Sequence, residues 1–412
     1  MKPTGDWFCC FRYKEDRVMN YCPRTKIVAL LLVSVFSSFS VLEAKDATRK
    51  KTAPKVPQVE VCFVLDTTGS MASLIQGAKD KIWSIANELA SAKPTPNIKF
   101  GLVAYRDRED DFVTKSFNLT DDIDTLYEHL MSFQAKGGGD SPESVNQALH
   151  DAVTEMSWNK SKRVLKLVFL VGDAPPHMDY PNDILYPEVC KLALEKRLII
   201  NTIQCGTMAE TTRVWRDIAD KSEGQFAAIL QSGGTIAIAT PFDKKIAEIN
   251  LQLNLTIVGY GDIRVQNSVR SKVASNAKAK PEAVADRADY YRNLRGAAGG
   301  RSGGKVLGGE EDLVEQVIQN KIKLEEIDRE KLPDDLKKLT PEKQIIEIKA
   351  RVESRKKLQT QINELLKKRN AYMIKEKKKQ AKAGIDDGFD LKVKEIIRKQ
   401  AADKGIIIEA AD

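Results

Sequence analysis

The 412-residue chain has only three histidines, His129, His150 and His177. That scarcity excludes a multi-histidine metal centre and leaves few partners for a nucleophile activated by an imidazole base. Cysteine is sparse as well: of six, Cys9, Cys10 and Cys22 precede a segment read below as removable, leaving Cys62, Cys190 and Cys205. An odd number cannot pair completely. Cys62 and Cys205 lie in apolar strand-like runs and Cys190 in a helical pattern, so all three read as small buried hydrophobes, with one Cys190 to Cys205 bridge as the alternative. An excess of one charge sign is also lacking. The balance of 66 basic against 58 acidic residues is +8, far from the clustered positive charge of a dedicated nucleic-acid binder. Nucleic acid is therefore not an expected partner. What the chain does have is 42% hydrophobic and 30% charged residues, which excludes whole-chain disorder and allows one α/β domain plus a second region.

Long apolar runs are missing too. The stretch KIVALLLVSVFSSFSVLEA at 26–44 is interrupted by Ser34, Ser37, Ser38 and Ser40, whereas a spanning helix needs about 20 predominantly apolar residues. A basic flank, an apolar heart and a small residue at Ala44 together read as a secretory signal over residues 1–44, with Met19 an alternative start. An exported chain is expected, periplasmic, in the cell envelope or secreted.

From 59 to 230 short apolar runs alternate with helical periods. VEVCFVLD, IKFGLVAY, VLKLVFLVGD and LIINTIQCG read as strands, and 72–89, 123–133, 143–156, 187–196 and 211–221 as helices. Near-continuous Val, Ile and Leu implies a parallel sheet covered on both faces. The fold class is α/β, a doubly wound, mostly parallel sheet over 58–232, after a linker at 45–57. Its ligands are expected at the carboxyl ends of the strands. A helical extension over 233–294, a glycine-rich linker at 295–309 and a helical basic region over 310–412 follow, so residues 45 to about 260 are expected to fold alone. In a long helix from 342 to 374, Ile345, Ile348 and Val352 and then Leu358, Ile362 and Leu365 keep spacings of three and four but slip by six in the middle. That slip favours a helical hairpin or small bundle over a long coiled coil. Between Arg351 and Lys382, twelve basic residues face three glutamates. A solvated face is one reading, and contact with an anionic surface such as an acidic envelope is another.

The first strand runs into DTTGSM, placing Asp66, Thr68 and Ser70 on one loop. GGGDSPES, with Asp140 and Glu143, precedes a helix, and VGDAPPH, with Asp173 and His177, follows a strand at the same edge. Carboxylates and hydroxyls without thiols suit a hard cation. The bland alternative is a set of helix caps, since Ser70 and Asp140 are capping residue types. Asp107, in YRDRED, reads as a solvated loop charge, with approach to the rim of the site as the alternative, His177 as a structural loop residue, and Trp83, Trp158 and Trp215 as packing.

These residues carry a resemblance. D-x-T-x-S resembles the D-x-S-x-S signature of von Willebrand factor A domains, which hold a metal-ion-dependent adhesion site. The pieces DTTGSM, FGLVAYRD, GGGDSPES and VGDAPPH are most similar to the A domains of the α-kinase type. D-x-P-E followed by D-A-x-x-H is also similar to integrin β-subunit I-like domains. The resemblance implies Mg²⁺, or Mn²⁺ or Ca²⁺, held by Thr68 and Ser70 directly, by Asp66 and Asp173 directly or through water, and by Glu143 or Asp140 from the middle loop. The aspartates of an adjacent second metal site are absent, since Ser73 and Leu74 stand there. The implied function is metal-dependent binding of a protein partner through its acidic side chain, with a structural envelope protein anchored by the basic tail as the alternative. No glycine-rich phosphate loop or catalytic cluster supports an enzyme, whether a kinase or a metal-assisted hydrolase.

Overall fold

The computed structural model describes residues 56–139, 141–231, 238–296, 309–382 and 388–408. The signal-like segment at 26–44 and Asp140 lie outside them. Strands β1 (Gln58–Asp66), β2 (Asn97–Tyr105), β3 (Thr114–Thr120), β4 (Leu165–Gly172), β5 (Ile199–Cys205) and β6 (Phe226–Ile229) form one sheet in the order β3-β2-β1-β4-β5-β6. All neighbours are parallel except β2 and β3. Four strands and the doubly wound class follow from the apolar runs. TKSFNLT (β3) and the four-residue β6 escape them because both are edge strands, half exposed, without a continuous apolar core.

Side chains alternate across β1. Val59, Val61, Phe63 and Leu65 enter one core with α1 (Ala72–Ala90) and α2 (Ile123–Ser132). Cys62 and Val64 enter the other, beneath α3 (Val145–Thr154), α4 (Tyr186–Lys196) and α5 (Ala209–Lys221). Trp83 and Trp215 are buried within these layers and Trp158 packs against one, so the tryptophans are packing residues. Cys62, Cys190 and Cys205 are buried and free. Among the described residues no helix is long and apolar enough to cross a membrane.

Helices α6 (Asp243–Asn254), α7 (Ile263–Ala277), α8 (Pro281–Gly296), α9 (Leu313–Ile318), α10 (Asp334–Lys337), α11 (Pro341–Lys382) and α12 (Gly388–Ala402) complete the chain. The boundary drawn in the sequence at 295–309 does not separate two bodies, because the described residues form a single unit. Ala283, Tyr290 and Tyr291 of α8 and Phe389, Val393, Ile396, Ile397 and Ala401 of α12 lie in the same apolar core as β1 and α1. Ile407 then pairs with Lys93, each backbone N–H donating to the other's carbonyl at 3.2 and 2.8 Å. The α/β layer thus takes cover for its α1 face from the C-terminal region, which a reading based on local composition does not register.

The slip of six in α11 also has a structural cause. Ile348 and Val352 pack with Val258, Leu313 and Leu336, whereas Leu358, Ile362 and Leu366 pack with Ile246, Ile249 and Ala285. The helix changes partners between the two groups. At the change Arg355, fully buried, pairs with Asp312, lies 3.6 Å from Glu315 and donates to Thr256 Oγ1 at 2.8 Å. Arg369 is likewise turned inward, onto Asp243 and Asp286 at 2.7 and 2.8 Å. Arg351 reaches Glu347 at 2.7 Å. The basic excess counted along the sequence therefore overstates the charge this helix presents outward.

Candidate metal centre

Pairing of Asp66 with Tyr105 and of Leu65 with Val171 brings β1, β2 and β4 to a common carboxyl edge. Three loops leave that edge and hydrogen-bond to one another. Gly69 N donates to Gly137 O at 3.0 Å and Lys136 N to Thr67 O at 3.1 Å, tying the first loop to the middle one. Glu143 N donates to Pro175 O at 2.9 Å and His177 N to Glu143 O at 3.1 Å, tying the middle loop to the third. Close approach requires the glycines. Gly138, at φ +73°, would place a Cβ 2.9 Å from Thr68 Cβ, and at Gly172 a Cβ would lie 2.4 Å from the Tyr105 hydroxyl and 3.2 Å from Asp66 Oδ2.

Within this frame Asp66 is buried, and its Oδ1 accepts from Thr68 N at 2.8 Å and Thr68 Oγ1 at 2.7 Å. Thr68 Oγ1 lies 3.3 Å from Ser70 Oγ. Burial, opposed by the Thr68 hydrogen bonds and reinforced by the Asp173 carboxylate beside it, pushes the Asp66 carboxyl up to about 7. Glu143 is pushed up to about 9, first by burial and then by Asp66, Asp107, Asp110 and Asp173. Asp173 Oδ2 accepts from Gln231 Nε2 at 2.5 Å. The structure thus draws Asp66, Thr68, Ser70, Glu143 and Asp173 to one edge.

For Ser70 the capping alternative is not realised. No side-chain cap hydrogen bond is made at the turn formed by Gly69–Met71, at the start of α1 or at the start of α3. Among the described residues no three acidic, histidine or cysteine side chains suffice to hold a metal, so a cation here also requires the Thr68 and Ser70 hydroxyls. The donors themselves fit a hard cation. Asp66 Oδ2 and Glu143 Oε2 are buried oxygens without hydrogen-bond partners, as is the hydroxyl of Tyr105. Unpaired buried carboxylate oxygens facing other carboxylates are costly unless a proton or a cation joins them.

Asp107 corrects the sequence reading. It is buried rather than solvated, accepting from Ser144 Oγ at 2.8 Å and from the Tyr180 hydroxyl at 2.8 Å. Arg108 stacks on Tyr180 at 3.8 Å and reaches Asp183 at 2.5 Å, so the loop after β2 grips the loop after β4 around Glu143. Asp110 Oδ2 accepts from Gly138 N at 3.1 Å and from Asp107 N at 3.3 Å. His177 packs between these loops, with Nδ1 2.8 Å from Asp179, Nε2 3.4 Å from Asp107 Oδ2 and its ring stacked 4.0 Å from Tyr180. Asp110, Tyr105 and Gln231 escape the sequence reading, and for Asp110 the available signal is its place just past the end of β2.

The doubly wound sheet thus draws the Thr68 and Ser70 hydroxyls and the carboxylates of Asp66, Glu143 and Asp173 towards one carboxyl edge, on three loops, as a candidate cation site of an α/β domain. Residues 60–241 match the family model described as von Willebrand factor A domain, and the chain carries such a domain, a kind that generally serves protein–protein interaction. It is 28% identical over 215 residues to von Willebrand factor A domain-containing protein 7 of Homo sapiens, covering 50% of this chain and 22% of that protein. It is 23% identical over 208 residues to an ariadne-like RING finger protein of Acanthamoeba polyphaga mimivirus, covering 49% of this chain and 20% of that protein. The chain thus spans about a fifth of the length of these curated relatives. Among solved structures it is similar to the mussel byssus proximal thread matrix protein 1 with a zinc-occupied MIDAS motif, at 18% identity and a TM-score of 0.33, covering 42% of each chain.

Proposed function

We propose that the domain binds a divalent cation, Mg²⁺ or alternatively Mn²⁺ or Ca²⁺, and through it an acidic side chain of a protein partner. The observation that carries this reading is the pair of buried, unpartnered oxygens Asp66 Oδ2 and Glu143 Oε2 beside the Thr68 and Ser70 hydroxyls. Thr68, Ser70, Asp66, Asp173 and Glu143 would hold the ion, with Asp140 the alternative to Glu143 as the ligand of the middle loop. When bound, the cation supplies charge neutralisation and an open coordination position that a carboxylate from another chain can fill.

The rim supports a protein as the source of that carboxylate. Met178 and Ile184 after β4, Met208 after β5 and Leu230 after β6 are exposed large apolar side chains on the same carboxyl edge. Gln231, next to Leu230, touches Asp173. A small anion has no use for an apolar border, whereas an acidic residue flanked by apolar ones gains buried area there. A binding module is favoured over an enzyme. Burial raises the thiols of Cys62, Cys190 and Cys205, leaving no activated thiol among them. The chain also has no CxxC pair of the kind zinc-binding RING modules use. An exported setting, as residues 26–44 imply, belongs to the same proposal.

Calorimetric titration of the metal-stripped chain with Mg²⁺, Mn²⁺ and Ca²⁺ tests the reading, followed by Mg²⁺-dependent capture of partner repeated with Asp66→Ala. Saturable binding that the substitution abolishes is expected. No binding of any of the three cations overturns it.

A further inference from the structure

We propose that the distal half of α11 is a docking stripe for an anionic lipid surface, independent of the metal centre. Lys367, Lys368, Lys375, Lys378 and Lys379 are all exposed. At 3.6 residues per turn they fall within an arc of about 120°. The opposite side of the helix carries Ile362, Leu366 and Arg369, buried against the fold, so the lysines face outward. Over 367–379 the acidic residue on the helix is Glu376, which pairs with Lys379 at 2.6 Å and lies off the stripe.

The composition of the stripe selects among anionic partners. Of the arginines of α11, which offer the planar fork that reads phosphates and base edges in pairs, Arg355 and Arg369 are turned inward and Arg351, outside the distal half, pairs with Glu347. What remains outward is lysine, a compact point charge on a flexible stem, suited to a laterally mobile sheet of head groups rather than to a fixed geometry. Ala371, exposed and small, lies between the lysines and leaves the face flat, and Ile374, 38% exposed at its border, offers one apolar side chain for shallow contact. Nucleic-acid recognition, by contrast, would have no outward arginine fork on this stripe to fix it to base edges or phosphates in pairs. Because the apolar side of the helix is spent on the fold, attachment is peripheral and electrostatic.

The test is sedimentation of the full chain with phosphatidylcholine vesicles, with and without phosphatidylserine. Binding is expected only with the anionic lipid, unchanged by chelator, and lost as salt rises and the Debye length falls from about 10 Å at 0.1 M to about 3 Å at 1 M. Neutralising three lysines, K367Q/K375Q/K378Q, should lower partitioning on the order of a hundredfold, at about one kcal/mol per lysine. The control triple K191Q/K245Q/K323Q removes the same charge from exposed positions on other elements and should bind like the wild type. A second stripe triple, K368Q/K375Q/K379Q, should repeat the loss, with both variants melting as the wild type does. Equal loss in the control, undiminished binding in either stripe triple, or tighter capture by duplex DNA than by the anionic vesicles at equal salt overturns the proposal.

Discussion

Asp66→Asn isolates the electrostatic core of the metal centre. Asn keeps the oxygen that accepts from Thr68 N and Oγ1 and replaces the unpartnered Oδ2 with an amide that can donate to the neighbouring Asp173. The wild-type carboxyl is raised from 3.8 to about 7, chiefly by burial. Below pH 3.8 both folded and unfolded states hold the proton and the group contributes nothing. As pH rises from 3.8 towards 7 the unfolded state ionises first, so the cation-free wild type loses stability by up to about 4 kcal/mol, at 1.36 kcal/mol per pH unit. The substitution removes that loss. In chelator, Asp66→Asn should melt with the wild type at pH 4 and several degrees above it at pH 8. In Mg²⁺ at a hundred times the dissociation constant the wild type should gain about 2.7 kcal/mol, and the variant almost nothing. Differential scanning calorimetry at both pH values reads the two effects. A wild type that melts at one temperature in Mg²⁺, Mn²⁺ and chelator at pH 8, or a variant that falls below it there, refutes the reasoning.

Glu143→Gln should weaken Mg²⁺ affinity more than Asp140→Asn if Glu143 is the ligand of the middle loop, and isothermal titration ranks the two. Because the Glu143 carboxyl sits at about 9 without a cation, binding should release protons, and apparent affinity should fall steadily from pH 9 to pH 6; a flat profile contradicts that coupling. Gly138→Ala forces a side chain at φ +73° against Thr68 Cβ, so it should cost about 1–3 kcal/mol in urea unfolding and reduce cation affinity as well. Phe389→Ala empties a buried position shared with β1 and α1, and should cost about 3–5 kcal/mol within one transition followed by both fluorescence and circular dichroism; an early separate transition of the C-terminal helices would show that the core is not shared.

The sequence displays the fold where burial is continuous and the site where chemistry is local. β1, β2, β4 and β5 are buried along nearly their whole length, and DTTGSM carries three donors within five residues, so each is legible from its own segment. Asp107 was misread because its role depends on Ser144 and Tyr180, 37 and 73 residues away. Nothing in YRDRED distinguishes an acceptor buried by other loops from a solvated charge. The same holds for Arg355 and Arg369, whose partners Asp312, Asp243 and Asp286 are remote. Long-range ion pairs turn residues that read as surface charge into interior ones. The six-residue slip in α11 was visible but ambiguous, since a break in period marks either a turn or a change of neighbour, and here it is the latter.

The placement of α12 has a consequence for biosynthesis. The helix that finishes the cover of α1 begins at Gly388, about 160 residues after the last strand closes at Ile229. At roughly 5–20 residues per second a ribosome needs about ten to thirty seconds to cross that interval. For that time the nascent α/β layer presents the apolar surface that Phe389, Val393, Ile396 and Ile397 will occupy. The metal-site loops emerge early, but the helix on whose N-terminal side they sit is buttressed last. Cover of the α1 face is therefore tied to completion of the chain, and a product cut short before Gly388 carries every candidate ligand and still leaves that surface open to the chaperones and proteases that survey unfinished proteins.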